Sequence, residues 1–164
     1  MNDEKYVAAV NTYADTLFRI AYSICKSKHD AEDAVQNTFL KLYESSKIFE
    51  GNEHLKNWLI KVTINSCKHS FTTPWKSKTV LLEEYKEKGY YTIDESLERA
   101  EVLSAVMSLP TKYRIVVHLY YYEDYSIRQI SEITGNKETT IQTRLMRARQ
   151  KLKDTLKEVW QNEK

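Results

Sequence analysis

The chain has 164 residues, 41% hydrophobic and 29% charged, which is ordinary for a soluble globular protein, and its net charge of +2 excludes a polycation. It contains only three glycines and two prolines, which favours helices, and it begins without the basic and apolar regions of a signal peptide. No run reaches the roughly 18 apolar residues of a membrane span. We therefore expect a cytoplasmic protein of one or two small helical domains with no membrane insertion of its own.

Two amphipathic helices are predicted near the N-terminus. Apolar residues at helical spacing indicate one helix over residues 6–25 and another over residues 30–43. Asp30 is the predicted N-cap of the second helix, with Asp33 three residues later in a box-like position. The two cysteines, Cys25 and Cys67, lie within apolar helical patterns and lack metal-ligand spacing, so we predict buried free thiols.

A third helix with a basic outer face is predicted over residues 55–71. Pro74 follows it, and the residue before a proline is pushed out of helical geometry. From residue 54 to 82 there are five lysines and no acidic residue. Lysines beside aromatic rings suit unpaired nucleotides, because phosphates pair with the lysines and bases stack on the rings. Trp58 and Phe71, however, are predicted core residues.

A change of charge follows this helix and predicts a linker. Residues 83–101 carry seven acidic and three basic side chains, and residues 79–93 show no clear helical period. Two further helices are predicted beyond the linker, the first beginning at Asp94 or Ser96 and the second covering residues 111–122, with Pro110 between them.

Residues 125–152 have the pattern of a helix-turn-helix. The apolar stripe of a short first helix consists of Ile127, Ile130 and Ile133. Gly135 then ends this helix, as a left-handed residue would. The stripe of the second helix consists of Ile141, Leu145, Ala148 and Leu152, and Thr139 or Thr140 is its predicted N-cap. Six basic residues and one acid lie in residues 137–153, which favours a DNA recognition helix over a helical hairpin with a merely solvated basic face.

The sequence contains no pattern typical of a catalytic or metal site. The spacing of His29, Asp30, Glu32 and Asp33 does not place a histidine and two carboxylates on one helical face. The remaining histidines, His54, His69 and His118, have no cysteine or carboxylate partner at ligand spacing. There is no GxSxG motif and no glycine-rich phosphate loop. We therefore expect no enzyme, no metal and no cofactor.

Three stretches resemble bacterial extracytoplasmic-function (ECF, group IV) RNA polymerase sigma factors, the minimal form with regions 2 and 4 only. DAEDAVQNTFLKLY, residues 30–43, resembles region 2.2, and NWLIKVTINSCKHSF, residues 57–71, resembles regions 2.3 to 2.4. Residues 109–152, beginning LPTKYR and ending ARQKL, resemble region 4. The resemblance implies an all-α protein with two small helical domains joined by a flexible linker. These are a region 2-like bundle of three or four helices at 1–75, an acidic linker at 76–93 and a region 4-like four-helix domain with the helix-turn-helix at 94–164.

The resemblance also implies a function, that of an alternative sigma factor that binds core RNA polymerase and directs initiation at promoters. In the family, the region 2.2 helix docks on the clamp coiled coil of the β′ subunit, and the matching residues here are Asp33, Gln36 and Asn37. Asn37 departs from the glutamate usual in the family. The third helix and the loop before it would bind the −10 element and take a flipped non-template base into a pocket, with Lys61, Asn65, Lys68 and His69 as the matching residues.

Region 4 would read the −35 element from the major groove. The candidate contacts are Thr139, Thr140, Gln142, Thr143, Arg144, Met146 and Arg147. Gln142 stands where the family often has lysine or arginine. Further partners implied by the resemblance are the β flap of the polymerase and an anti-sigma factor, commonly membrane-anchored, while the acidic linker would run toward the RNA exit path.

Two other classes of protein remain compatible with the residues. One is a helix-turn-helix regulator that binds DNA without docking on polymerase and uses residues 1–73 to sense a partner or ligand. The other is a sigma-like adaptor that binds polymerase but no promoter. Two basic helical faces in separate domains favour the sigma factor, because a plain repressor needs no second surface for nucleic acid.

Overall fold

The structure is a computed structural model that describes residues 1–68 and 97–162, and every regular element in these ranges is a helix. The chain divides into two compact units, Met1–Thr73 and Pro74–Lys164. The predicted all-α class with two helical domains is confirmed. The predicted linker at 76–93, together with His69 and Phe71, lies outside the described residues.

The first unit is a bundle of three helices: α1 (Asp3–Cys25), α2 (Lys28–Glu44) and α3 (Asn52–Cys67). Each helix packs on the other two. The largest side chains at the centre of the bundle, all almost fully buried, are Leu17, Ile20, Tyr22, Leu42, Leu59 and Ile60. Burial of this apolar surface is the main source of stability, at about 25 cal/mol for each Å² removed from water.

The junction of α1 and α2 differs from the prediction. Lys26 ends α1 in the left-handed conformation, at φ 57°. The following residue, Ser27, is extended, and its side chain accepts a hydrogen bond from the Asp30 backbone N–H at 3.2 Å. The prediction of Asp30 as N-cap is therefore wrong, because the Ser27 hydroxyl already caps the helix. Asp30 lies instead in the first turn, where its charge suits the positive end of the helix dipole.

Most buried polar groups described in the first unit have hydrogen-bond partners, although the buried side-chain oxygen of Asn57 has none among the described residues. The buried hydroxyls of Thr38 and Thr63 lie 2.9 Å apart and join α2 to α3. Both cysteines are buried free thiols, as predicted. A hydrogen bond with Cys25 and burial together raise the pKa of the Cys67 thiol far above its usual value, so this thiol stays protonated at neutral pH.

Within residues 97–162, the second unit contains three short α-helices and one long α-helix around its own core. They are α4 (Leu97–Ser108), α5 (Thr111–Val117), α6 (Ile127–Thr134) and the long α7 (Glu138–Asn162). The helix predicted over residues 111–122 keeps α-helical geometry only to Val117 and continues as a five-residue π-helical turn, His118–Tyr122. The largest fully buried side chains of this core are Met107, Leu119, Ile130, Ile133, Ile141 and Leu145.

Two buried side chains, Arg114 of α5 and His118 just after it, form contacts that hold the neighbouring segments in place. The Arg114 guanidinium donates to the Leu109 carbonyl at 2.6 Å, which satisfies an acceptor at the end of α4. At the π-helical turn, His118 Nε2 lies 2.9 Å from Glu123 Oε2, and both side chains are buried. His118 was predicted to lack a partner at metal-ligand spacing, and the structure gives it a carboxylate partner five residues away, because the wider π-helical turn brings such residues onto one side.

Candidate nucleic-acid and partner interfaces

The helix-turn-helix begins with a capping box that was not predicted from the sequence. The Ser126 side chain accepts from the Gln129 backbone N–H at 3.1 Å, and the Gln129 side chain accepts from the Ser126 N–H at 2.8 Å. The signal was present in the sequence, as a serine followed three residues later by glutamine. Gly135 ends α6 in the left-handed conformation at φ 77°, as predicted, and donates its N–H to the Ser131 carbonyl.

The second helix of the motif begins earlier than predicted. Helix α7 starts at Glu138, and the Ile141 N–H donates to the Lys137 carbonyl at 3.1 Å. Thr139 and Thr140 therefore lie within the first turn, and the prediction that one of them is the N-cap is wrong. The Thr143 hydroxyl donates to the Thr139 carbonyl at 2.9 Å, which leaves its oxygen able to accept a hydrogen bond from a ligand.

Helix α7 separates an apolar face from the predicted DNA contacts. Ile141, Leu145 and Ala148 are at most 1% exposed, whereas Leu152 is only half-buried. The seven predicted contacts all lie off this buried stripe. The exposed members are Thr139, Gln142, Met146 and Arg147, and the half-buried members are Thr140, Thr143 and Arg144. A major groove about 12 Å wide accepts such a helix with its outer face toward the base edges.

Cations converge on Tyr113, a residue of α5 that the sequence did not indicate. The Lys112 and Lys151 ammonium groups lie 5.1 and 5.9 Å from the centre of its ring. Burial raises the pKa of the Tyr113 hydroxyl, but a hydrogen bond with Arg147 and the nearby positive charges outweigh burial and leave the pKa below its usual value. Arg147 therefore lies near the Tyr113 hydroxyl of α5 and is also exposed to solvent.

The basic face of α3 carries three of the four residues predicted for the −10 element. Lys61, Asn65 and Lys68 are exposed and follow one another at spacings of four and three, so they lie on one side of the helix. The fourth, His69, lies outside the described residues.

The loop before α3 is held in place by aromatic contacts. The Phe49 ring meets the rings of His54 and Trp58 edge-on, each at 5.4 Å between centroids. Trp58 is half-buried beneath this loop, rather than in the core as predicted. The loop and α1 also line an open cavity of about 600 Å³, whose lining includes Lys5, Thr12, Tyr13, Ser46, Ile48 and Phe49.

The outer face of α2 carries the residues predicted to bind polymerase. Asp33, Gln36 and Asn37 are all exposed. Asp33 has a local partner, because its carboxylate lies 3.3 Å from His29 Nε2, and the Asn37 amide donates to the Ser66 hydroxyl of α3 at 3.0 Å. Sequence reasoning missed the apolar continuation of this face, Leu40 and Tyr43, which are 53% and 62% exposed. The sequence did contain a signal for this, because Leu40 and Tyr43 follow Gln36 by four and seven residues and so lie on the same helical face.

Comparison with known proteins matches each of the two units to a protein family. Residues 9–76 match the sigma-70 region 2 family, and residues 99–152 match the sigma-70 region 4 family. The ECF RNA polymerase sigma factor SigM of Bacillus subtilis is 30% identical over 145 residues, which cover 86% of this chain and 88% of SigM. The sigma factor SigV of the same organism is 28% identical over 142 residues, with 87% and 85% coverage.

Two solved structures share the fold. The sigma factor RpoE in complex with the anti-sigma factor NepR from Bartonella quintana gives a TM-score of 0.69 at 22% identity, covering 94% of this chain and 98% of RpoE. CnrH, in complex with the cytosolic domain of CnrY, gives a TM-score of 0.70 at 22% identity, covering 95% of this chain and 90% of CnrH.

A helical unit matching region 2 followed by one matching region 4 defines the sigma-70 class of transcription factors. The chain belongs to this family, in its extracytoplasmic-function group, and is an alternative sigma factor that directs transcription. The alternative of a helix-turn-helix regulator without polymerase docking is not favoured by these relationships. Sigma factors as a class are not enzymes. Of the helices within the described ranges, none has the length and apolar character needed to cross a membrane.

Proposed function

We propose that the two units divide the work of initiation between them in the cytoplasm. Residues 1–75 dock on core RNA polymerase and bind the −10 element, residues 76–93 connect the units, and residues 94–164 bind the −35 element and the β flap. The observation that carries this proposal is the division of α7 into a buried stripe and an outer face of Gln, Thr and Arg side chains. These are side chains that read base edges and phosphates.

The −35 element is bound in the major groove by the outer face of α7. Thr139, Thr140, Gln142, Thr143, Arg144, Met146 and Arg147 form this contact. The position of Arg147 beside the Tyr113 hydroxyl supports its role, because a neighbouring group that restricts a side chain lowers the entropy it loses on binding.

The −10 element is bound by the basic face of α3 and the loop before it. Lys61 and Lys68 pair with phosphates, while Asn65 and the neighbouring His69 contact bases. The cavity between the loop and α1 is large enough for an unpaired base and offers both apolar and polar lining, which supports its capture there.

Core polymerase is bound by the outer face of α2, through Asp33, Gln36 and Asn37 toward the β′ clamp coiled coil. The exposed apolar side chains of Leu40 and Tyr43 support a protein partner on this face, because monomeric surfaces seldom leave neighbouring large apolar groups unused.

An anti-sigma factor, anchored in the membrane, holds the protein inactive until it is released. Support comes from the two structural neighbours, RpoE and CnrH, of which the first is bound to an anti-sigma factor and the second to the cytosolic domain of CnrY.

Run-off transcription tests the proposal. The purified protein is added to bacterial core polymerase that lacks any sigma factor, with the promoter of its own operon as template. We expect a specific transcript, and we expect the double variant Arg144→Gln/Arg147→Gln to abolish it, since each lost base contact costs about 1–3 kcal/mol. Lys157→Gln, which removes a charge further along α7, is the matched control and keeps activity.

Polymerase docking is tested separately. Asp33→Ala/Gln36→Ala should prevent binding to core polymerase, whereas Glu44→Gln, an exposed acidic residue of the same helix, should not. Binding of polymerase without a transcript from any template would favour the adaptor. Binding of duplex DNA without binding of polymerase would favour the conventional regulator.

A further inference from the structure

The π-helical turn His118–Tyr122 presents consecutive tyrosines in a fixed arrangement. Its two ends are joined by the Glu123 N–H, which donates to the His118 carbonyl at 3.1 Å, and by the buried contact between the two side chains at 2.9 Å. The Tyr125 N–H donates to the Leu119 carbonyl at 3.0 Å and fixes the exit from the turn. π-helical turns often occur at functional sites, because the extra residue changes the direction of the side chains that follow.

The tyrosines of this turn hold an arginine of α7. The Arg149 Nε–H donates to the Tyr121 hydroxyl at 2.6 Å, and the guanidinium carbon lies 5.8 and 5.6 Å from the ring centres of Tyr120 and Tyr121. The two rings meet edge-on at 4.9 Å. Two cation–π contacts and one hydrogen bond thus order a long surface side chain before any ligand binds.

The Arg149 guanidinium retains donors for a ligand. A guanidinium has five N–H donors, and Tyr121 engages only the one on Nε. No other residue that the structure describes engages the two terminal nitrogens, which have the planar arrangement that matches two oxygens of one phosphate. Tyr121 is 50% exposed, so the group it orders is accessible from solvent.

The position of Arg149 on α7 indicates which ligand it meets. It follows Gln142 by seven residues and Met146 by three, so all three share one face of the helix. Between Thr139 and Lys153 the helix has no acidic side chain. An exposed arginine among tyrosines also suits a protein partner, but a cationic face continuous with the −35 contacts favours DNA.

We propose that Arg149, held by Tyr120 and Tyr121, binds a backbone phosphate at the border of the −35 element. This inference rests on the proposed function and extends it, because the contact would position α7 in the groove without reading a base. The direct base contacts remain those of the residues at the N-terminal half of α7.

The test measures the salt dependence of promoter binding by holoenzyme reconstituted with core polymerase. Arg149→Gln should weaken binding and reduce the slope of log K against log salt by about 0.9, the value of one phosphate contact. Tyr121→Phe should weaken binding by about 2- to 10-fold, as expected for one hydrogen bond, with an unchanged slope. When Arg149→Gln is already present, adding Tyr121→Phe should not weaken promoter binding further. Lys157→Gln serves as the control for loss of charge.

Arg149→Gln should keep the wild-type specificity, measured as the affinity for the cognate promoter divided by that for promoters with substituted −35 bases. The reason is that a phosphate contact carries no sequence information. A wild-type slope for Arg149→Gln would overturn the inference, as would loss of core polymerase binding, which would make the cluster a protein interface. A wild-type holoenzyme that produces no promoter-specific transcript would instead overturn the proposed function itself.

Discussion

The two units differ in the kind of polar group they bury. Among the described residues of the first unit, the buried polar side chains are hydroxyls, Ser23, Thr38 and Thr63, and each lies within 2.8 Å of a carbonyl of its own helix. Among those of the second unit they are ionisable: Glu101, Arg114 and His118. Arg114 donates to the carbonyl that follows α4, and His118 pairs with Glu123 at the π-helical turn, so the second unit depends on ionisable side chains at the junctions between its helices.

The consequence is that the units should fail in different ways. The first unit depends on apolar volume, and loss of packing should affect it most. The second depends also on specific partners, and the removal of one partner leaves the other buried without a hydrogen bond. Peptide-level hydrogen exchange on the full chain separates the two units, because it reports a free energy of opening for each helix.

The largest effect is expected at the centre of the first unit. Leu59 is fully buried, and Leu59→Ala should lower the free energy of opening of α1, α2 and α3 by about 2–5 kcal/mol. Helices α6 and α7 should keep their protection. Leu40→Ala removes the same side chain from an exposed position of α2 and should change protection by less than about 0.5 kcal/mol. Equal loss of protection in both units would mean that they open together.

A smaller effect is expected at the π-helical turn. Glu123→Ala leaves the buried His118 ring without its carboxylate partner and should destabilise the second unit by about 1–3 kcal/mol. Exchange should rise in α5 and α6 and remain unchanged in α1. Glu132→Ala, which removes an exposed carboxylate paired with Arg128, is the control. If Glu123→Ala behaved like Glu132→Ala, the buried pair would not stabilise this turn.

The smallest effect is expected at two residues in the left-handed conformation, one in each unit. Lys26 has φ 57° and Asp124 has φ 58°. Glycine adopts this conformation without steric cost but loses more entropy on folding, so Lys26→Gly and Asp124→Gly should each stabilise their own unit by about 0.5 kcal/mol. Asp124→Ala cannot relieve the strain, and it should not stabilise the second unit. Thermal unfolding measures these changes. If Asp124→Ala stabilised the second unit as much as Asp124→Gly, this account would be wrong.

Local periodicity determined much of what was predicted. The apolar stripes of α1, α2, α3 and α7 are visible in the sequence because an amphipathic helix repeats its buried positions every three or four residues. Gly135 was assigned correctly because the left-handed end of a helix selects glycine. The order of the two sigma-like regions could also be read from the chain, and with it the family.

Tertiary structure decided the remaining features. Several cap-forming residues lie together near Ser27 and Thr139, and which one begins a helix depends on backbone geometry that composition does not encode. The apolar spacing through Tyr122 is compatible with an α-helix, so the π-helical turn and the contact of His118 with Glu123 were not visible. Tyr121 and Arg149 are 28 residues apart. Such a pair meets only when two helices pack, which is why the sequence alone supplied the basic face of α7 but not the side chains that order it.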